Sequence, residues 1–200
     1  MTFFNYFDLL QVIFWSIAYI CVIIYSIKFK KCLMPFTCLS FNMMWEVLVL
    51  LNSTPFSFAF FLRLIRTILD SVILILHFLY GNVVIDKERK ELFYLISICL
   101  PILILILFYF LYEFVPSFSL YSAFFTNIYM SLMFLFLFQK SKKFASGLFK
   151  IGLFRMLGTL FASITYGIIN EINVTIIVCG LIILAIDSIY LSLCNFNIKK

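Results

Sequence analysis

Seven long apolar stretches recur along a chain of only 200 residues, and no other property limits its fold so sharply. They cover residues 9–27, 35–52, 58–80, 92–112, 118–138, 147–168 and 174–194, with short polar loops between them. About 20 consecutive apolar residues in helical form cross a hydrocarbon core. The second stretch is the shortest and is expected to extend slightly at its ends. Composition closes the alternative of a water-soluble domain: 65% of residues are hydrophobic, 12% are charged, and mean hydropathy is +1.16. A soluble domain of this size cannot hide so much apolar surface. The expected fold is all-α, a polytopic seven-transmembrane-helix bundle forming one domain over residues 1–200.

Basic residues set the expected orientation. Lys28, Lys30 and Lys31 follow the first stretch, and Lys87, Arg89 and Lys90 the third. Lys140, Lys142, Lys143 and Lys150 follow the fifth, and Lys199 and Lys200 the seventh. These twelve of the 15 Lys and Arg residues fall in alternate loops, while the other loops hold only Asp8, Glu113 and Glu171. Lys and Arg in short loops stay cytosolic, so the N-terminus is expected outside and the C-terminus in the cytosol. The net charge of +6 then serves topology. It is dispersed over separate short loops, which argues against nucleic-acid binding. No cleavable signal peptide is expected, because no basic segment precedes the first apolar stretch. Cys21, Cys32, Cys38, Cys99, Cys179 and Cys194 lack metal-ligand spacing and are expected as reduced thiols. The loops leave no room for an extramembrane domain, so any activity must reside among the helices. Pro35 suits the first turn of the second helix, Pro55 and Pro116 fall in loops, and Pro101 is the one candidate kink. Asn52-Ser-Thr and Asn173-Val-Thr match the glycosylation pattern but stand too near the membrane to be read as more than chance matches.

Against this background the ionisable residues within the stretches stand out: Glu46, Arg63, Arg66, Asp70, His77, Arg155 and Asp187. A charge at the centre of a membrane helix costs about 2.5–3.5 kcal/mol on insertion scales, and such residues commonly mark function. Asn42 and Glu46 are four apart, with Trp45 adjacent, so amide, carboxyl and indole share a sector of the second helix. Arg63, Arg66, Asp70 and His77 form a stripe on the third, Arg155, Thr159, Ser163 and Tyr166 another on the sixth. Gln11, Trp15 and Tyr19 line up on the first, and Asp187 and Tyr190 on the seventh. Each has a structural reading beside the functional one. Arg66 and Asp70, at i and i+4, read as a charge-neutralising pair; Arg63 reads as snorkelling, and His77 as interfacial. The hydroxyls of the sixth helix read equally as interhelical packing, and Arg155 as the structural partner of Asp187. Glu46 has no basic residue on its own helix, which favours a functional role.

The stretch FNMMWEV, with Asn42, Trp45 and Glu46, resembles the N-x-x-W-E signature of the fungal membrane-bound terpene cyclases of meroterpenoid and indole-diterpene pathways. The segment from Arg63 to Asp70 is similar to a second patch of that family, and AIDSIY, with Asp187 and Tyr190, to its last-helix aspartate. Size and helix number agree with the resemblance over the whole chain. Phe41 replaces the usual small residue before the asparagine, and Ile65 and Arg66 stand where an aromatic is expected. The resemblance implies a lyase or isomerase that protonates a terminal epoxide or alkene of a lipophilic prenylated substrate and guides a cationic ring closure. It implies Glu46, Asp70 and Asp187 as catalytic residues, and Asn42, Trp45 and Tyr190 as substrate-binding ones, to which the polar stripes add Arg66 and Arg155 as candidates. It implies neither metal nor other cofactor.

Elementary chemistry agrees. A carboxyl group in an apolar site keeps its proton near neutrality, as a general acid must, and aromatic faces stabilise a cation. No stretch holds the neighbouring acids that metal-bound diphosphate ionisation requires, and the acidic D-x-D-D run of soluble protonation-type cyclases is absent. The main competing reading is a small proton-coupled transporter that titrates Glu46 and Asp187, although the Pro-Gln dipeptide of seven-helix sugar carriers does not occur. A receptor would find little loop surface for partners. A retinal pigment would need a lysine in the seventh stretch, which has none. Membrane lipid is the one further partner expected; the housing membrane is the plasma membrane in a bacterium and the endoplasmic reticulum in a eukaryote. The alternation of charge predicts that tags at Met1 and Lys200 report opposite faces of the membrane. Reporter fusions placing both termini on one face would overturn the seven-crossing arrangement.

Overall fold

The computed structural model describes residues 6–81, 90–115 and 117–199. Lys87, Arg89, Pro116 and Lys200 lie outside the described residues. Seven α-helices and no strand occur among those that are described: α1 (Tyr6–Phe29), α2 (Phe36–Leu51), α3 (Phe58–Gly81), α4 (Lys90–Phe114), α5 (Phe118–Lys140), α6 (Ala145–Ile164) and α7 (Val174–Ile198). A 3₁₀ turn, Lys142–Phe144, leads into α6, and a π turn, Thr165–Ile169, ends it. Five segments are long and apolar enough to cross a membrane: α1, α4, α5, α7 and the stretch Lys142–Ile169 that contains α6.

Helix ends follow local chemistry. Pro35, which has no N–H to lose, precedes α2. At its other end the Asn52 side chain donates to the Leu48 carbonyl at 2.8 Å. These two ends hold α2 to 16 residues, so it does not extend as its sequence suggested. Asn173 caps α7 by accepting from the Ile176 N–H at 3.2 Å. Both asparagines of the glycosylation-like triplets therefore work as helix-end groups. Lys30 closes α1 in the left-handed region at φ 52°, and Lys31 N–H returns to the Ser26 carbonyl at 3.1 Å. Pro101 is buried inside α4.

Side chains are distributed as lipid demands. Large apolar residues such as Leu95, Leu103, Ile106 and Phe110 on α4 are exposed, while Asn42, Glu46, Asp70, Arg155 and Asp187 are buried. The helices fall into two compact units. The described part of one comprises Ile23–Thr126. Here α2 packs against both α3 and α4, using different sides for each. Phe41, Met44 and Leu48 meet Ile104 and Phe108 of α4. The side bearing Asn42 and Glu46 meets α3.

The other unit comprises the described residues of Met1–Val22 and Asn127–Lys200. Small residues let its helices approach closely, as is usual where hydrophobic burial cannot drive association. Gly152 faces the ring of Tyr190, Gly180 faces Ser163, and Gly158 lies under Trp15. Phe14 stacks on Phe161 at 5.5 Å, fixing the first half of α1 on α6. A methyl group added at Gly158 would stand 2.6 Å from Trp15 Cδ1. Gly158→Leu is therefore expected to destabilise the protein by about 1–3 kcal/mol through overpacking. Trp15→Ala in the same chain should recover part of that loss in a thermal-unfolding assay in detergent.

Candidate active site

The residues singled out by sequence collect where two antiparallel helix pairs bring them level. In α2 and α3, which run in opposite directions from the turn 52–57, each step back along α2 is matched by a step forward along α3. Glu46 thus meets Arg66, and Asn42, one turn away, meets Asp70. The Arg66 guanidinium forms an ion pair with Glu46 Oε1, and the Asn42 amide donates to Asp70 Oδ2 at 2.7 Å. Arg66 forms its ion pair across to α2, while Asp70, its i+4 neighbour, stays within its electrostatic reach. The level-matched residue on a facing helix offers Arg66 a partner that would otherwise be a buried, uncompensated charge.

Both carboxyl groups are fully enclosed, and each keeps one oxygen, Glu46 Oε2 and Asp70 Oδ1, without a hydrogen-bond partner among the described residues. Each lies within electrostatic reach of the other, and Arg63 within reach of Glu46. Arg63 thus adds its charge to the Glu46 site. Trp45 stands at the edge of the cluster: its ring lies 6.0 Å from the Arg66 guanidinium, and its N–H donates to the Ser119 carbonyl at 2.8 Å. The Ser119 contact connects α2 to a segment 74 residues away, and no side-chain pattern announces a backbone acceptor. His77 is buried, its ring stacked on Phe36 at 4.3 Å and its Nε2 3.2 Å from the Ser97 hydroxyl. An aromatic neighbour and a hydroxyl make burial acceptable for a neutral imidazole.

In the other unit, α6 and α7 repeat the same geometry. Arg155 forms an ion pair with Asp187, both almost fully enclosed, and Ser131 of α5 faces the same carboxylate. The guanidinium lies 4.6 Å from the centre of the Phe134 ring. Three residues further along α7, Tyr190 donates its hydroxyl to the Leu148 carbonyl at 2.8 Å, and its ring meets Phe134 and Phe138 edge-on. Of the two readings of Arg155, pairing with Asp187 is the one realised. Phe134 carried no sequence signal among so many phenylalanines. On α6, the Ser163 hydroxyl bonds back to the Thr159 carbonyl at 2.8 Å, a local bond within the helix.

Such sites hold carboxyl groups, amides, indole and guanidinium in apolar surroundings, suited to proton transfer and to contact with cations. The model of one protein family, Pyr4-like transmembrane terpene cyclases, matches residues 1–191. Neither a curated protein nor a solved structure matches the chain. The buried pairs yield a direct expectation. Asp187→Leu leaves the Arg155 charge unpaired and should cost about 3–5 kcal/mol of stability, whereas Asp187→Leu with Arg155→Met should cost much less. A double-mutant cycle in detergent unfolding measures the difference, and additive losses would contradict the pairing.

Proposed function

The chain belongs to the Pyr4-like transmembrane terpene cyclases, an integral membrane family of enzymes that cyclise terpenoids, and from that premise we propose how it starts the reaction. A carboxyl group of the α2–α3 cluster protonates the terminal epoxide or alkene of a lipophilic prenylated substrate, and the resulting cation closes rings. The observation that carries this reading is the pair of fully buried carboxyl groups, Glu46 and Asp70, each with one oxygen that has no hydrogen-bond partner among the described residues. A proton donor needs such an oxygen within reach of its acceptor, and an enclosed apolar site keeps water from quenching the cation. Trp45, with its π face, and Arg66 and Asn42, which hold the carboxyl groups in place, complete the cluster. Asp187, held by Arg155 beside Tyr190, is the third carboxyl group assigned to the reaction.

The reaction is proposed to need no metal. Glu46 and Asp70 are engaged by Arg66 and Asn42 respectively, unlike the clustered, solvated acids that hold magnesium for diphosphate ionisation. The termini are proposed to face opposite sides, N-terminus outside, with α2 and α3 crossing the membrane in addition to the five segments that are long and apolar enough to do so. Purified protein in detergent with a chelator should convert members of a panel of farnesylated and geranylgeranylated epoxides and alkenes into cyclic isomers. The combined variant Glu46→Gln/Asp70→Asn should lose at least the roughly 10²–10⁴-fold that a general acid contributes. A panel left unchanged by wild-type protein, together with Glu46-dependent solute movement into vesicles, would replace this reading with the transporter.

A further inference from the structure

A buried ion pair that serves packing alone has its remaining hydrogen-bonding atoms taken up by the protein around it. The simple hydroxyls nearby on α6 and α7 obey this rule: Tyr190 donates to the Leu148 carbonyl and Ser163 to the Thr159 carbonyl, each at 2.8 Å. The Arg155–Asp187 pair does not. Arg155 is only 2% exposed and gives one guanidinium nitrogen to Asp187 Oδ1. Its Nε and Nη1, and the second carboxylate oxygen Asp187 Oδ2, are buried and have no hydrogen-bond partner among the described residues. The Phe134 ring, 4.6 Å away, covers one face of the guanidinium, and the free N–H groups lie in its plane. Buried donors and acceptors left unmet are costly. Two groups already joined by an ion pair thus present spare donors and a spare acceptor together, complementary to a ligand that carries an acceptor oxygen and a hydroxyl.

We propose that the Arg155–Asp187 pair binds a hydroxy-carbonyl group, Arg155 donating to its carbonyl oxygen and Asp187 Oδ2 accepting from its hydroxyl, and that this group is the oxygenated, non-isoprenoid part of the substrate. The identity of the occupant rests on the cyclase reading above; the complementarity of donors and acceptors does not. Arg155 is then a specificity-determining residue. A ligand that lacks either oxygen leaves a buried charged group unmet and is held less tightly, whereas a plain hydrocarbon epoxide offers neither contact. Arginine suits this place because its planar fork keeps N–H groups to spare after one is committed to a carboxylate, which a point-charge ammonium does less well. No bond is made or broken here: the pair holds and orients. The ester carbonyl and hydroxyl of a lipid head group carry the same chemistry, so membrane lipid is the second source of such a ligand.

The test is the binding of unreactive ligands to the purified full-length protein in detergent, read by calorimetry and by thermal unfolding. The probe is a methyl hydroxybenzoate carrying a saturated chain of farnesyl length, with two matched partners that lack the hydroxyl or the ester; monoolein represents lipid. Wild-type protein should bind the complete head roughly 10–100-fold more tightly than either partner. The preference should vanish in Arg155→Met with Asp187→Leu, which removes both charges together. In Arg155→Lys, which keeps the cation but not the fork, the share due to the ester should shrink; this variant serves where the double one fails to fold. Each variant is judged by the ratio of its affinities for matched ligands, so a structural loss that weakens all three equally does not imitate the result. Equal binding of the three by wild-type protein, or a preference that survives in the double variant, overturns the site and leaves a pair completed by solvent. Arg155-dependent binding of monoolein without binding of the benzoate overturns the substrate assignment in favour of lipid. The probes cannot cyclise, so a protein that shows the preference yet converts no prenylated epoxide or alkene contradicts the cyclase reading and not this site.

Discussion

An arginine enclosed among apolar helices must have an anion at its own level, and the packing of both units follows from meeting that requirement twice. Arg66 finds Glu46 across the α2–α3 pair, and Arg155 finds Asp187 across α6–α7. Breaking such a pair leaves a charge that the surroundings cannot solvate, at a cost of about 3–5 kcal/mol, so each pair locks the register of two antiparallel helices. Apolar residues could slide by a turn with little change in energy, since lipid and protein interior are alike to them. The charges cannot. Once Glu46 and Arg66 are level, Asn42 and Asp70 are level too; once Arg155 and Asp187 are, Gly152 lies against Tyr190 and Gly180 against Ser163.

That locking has a consequence for chemistry. Register fixed by ion pairs holds Glu46 and Asp70 in place without any loop, so the groups assigned to proton transfer stand within helices. Rigid placement matters because a carboxyl group displaced by one methylene no longer reaches its acceptor in the required geometry. The apolar side of α2, meanwhile, is occupied by Ile104 and Phe108 of α4. One helix thus supplies a packed side that anchors it and a polar side available for function.

Much of this was legible in sequence, and the reasons are physical. The apolar stretches located all seven helices among the described residues, because long apolar runs in so hydrophobic a chain satisfy their backbone polar groups internally as helices. The polar stripes named Glu46, Arg66, Asp70, Arg155 and Asp187, because ionisable residues are otherwise excluded from such stretches. Their pairing was less accessible. Spacing along one helix suggested Arg66 with Asp70, whereas the bond runs to Glu46 on the facing helix; the short turn 52–57 contained the register that would have indicated it. The Ser119 carbonyl that receives the Trp45 N–H and the Phe134 ring beside Arg155 depend on tertiary packing and left no pattern in the chain. Likewise the capping of α2 by Pro35 and Asn52 outweighed the apolar run that suggested a longer helix.

The central claim is that a carboxyl group of the α2–α3 cluster meets the reacting end of a prenylated substrate. It is tested most directly by an experimental structure of the protein bound to an unreactive analogue of a prenylated epoxide. The account predicts the analogue's terminal oxygen within about 2.6–3.2 Å of an oxygen of Asp70 or Glu46, with the prenyl chain on the aromatic side of the cluster near Trp45. An analogue seated with its reacting end away from both carboxyl groups, while Glu46 and Arg66 remain paired and closed, would contradict it.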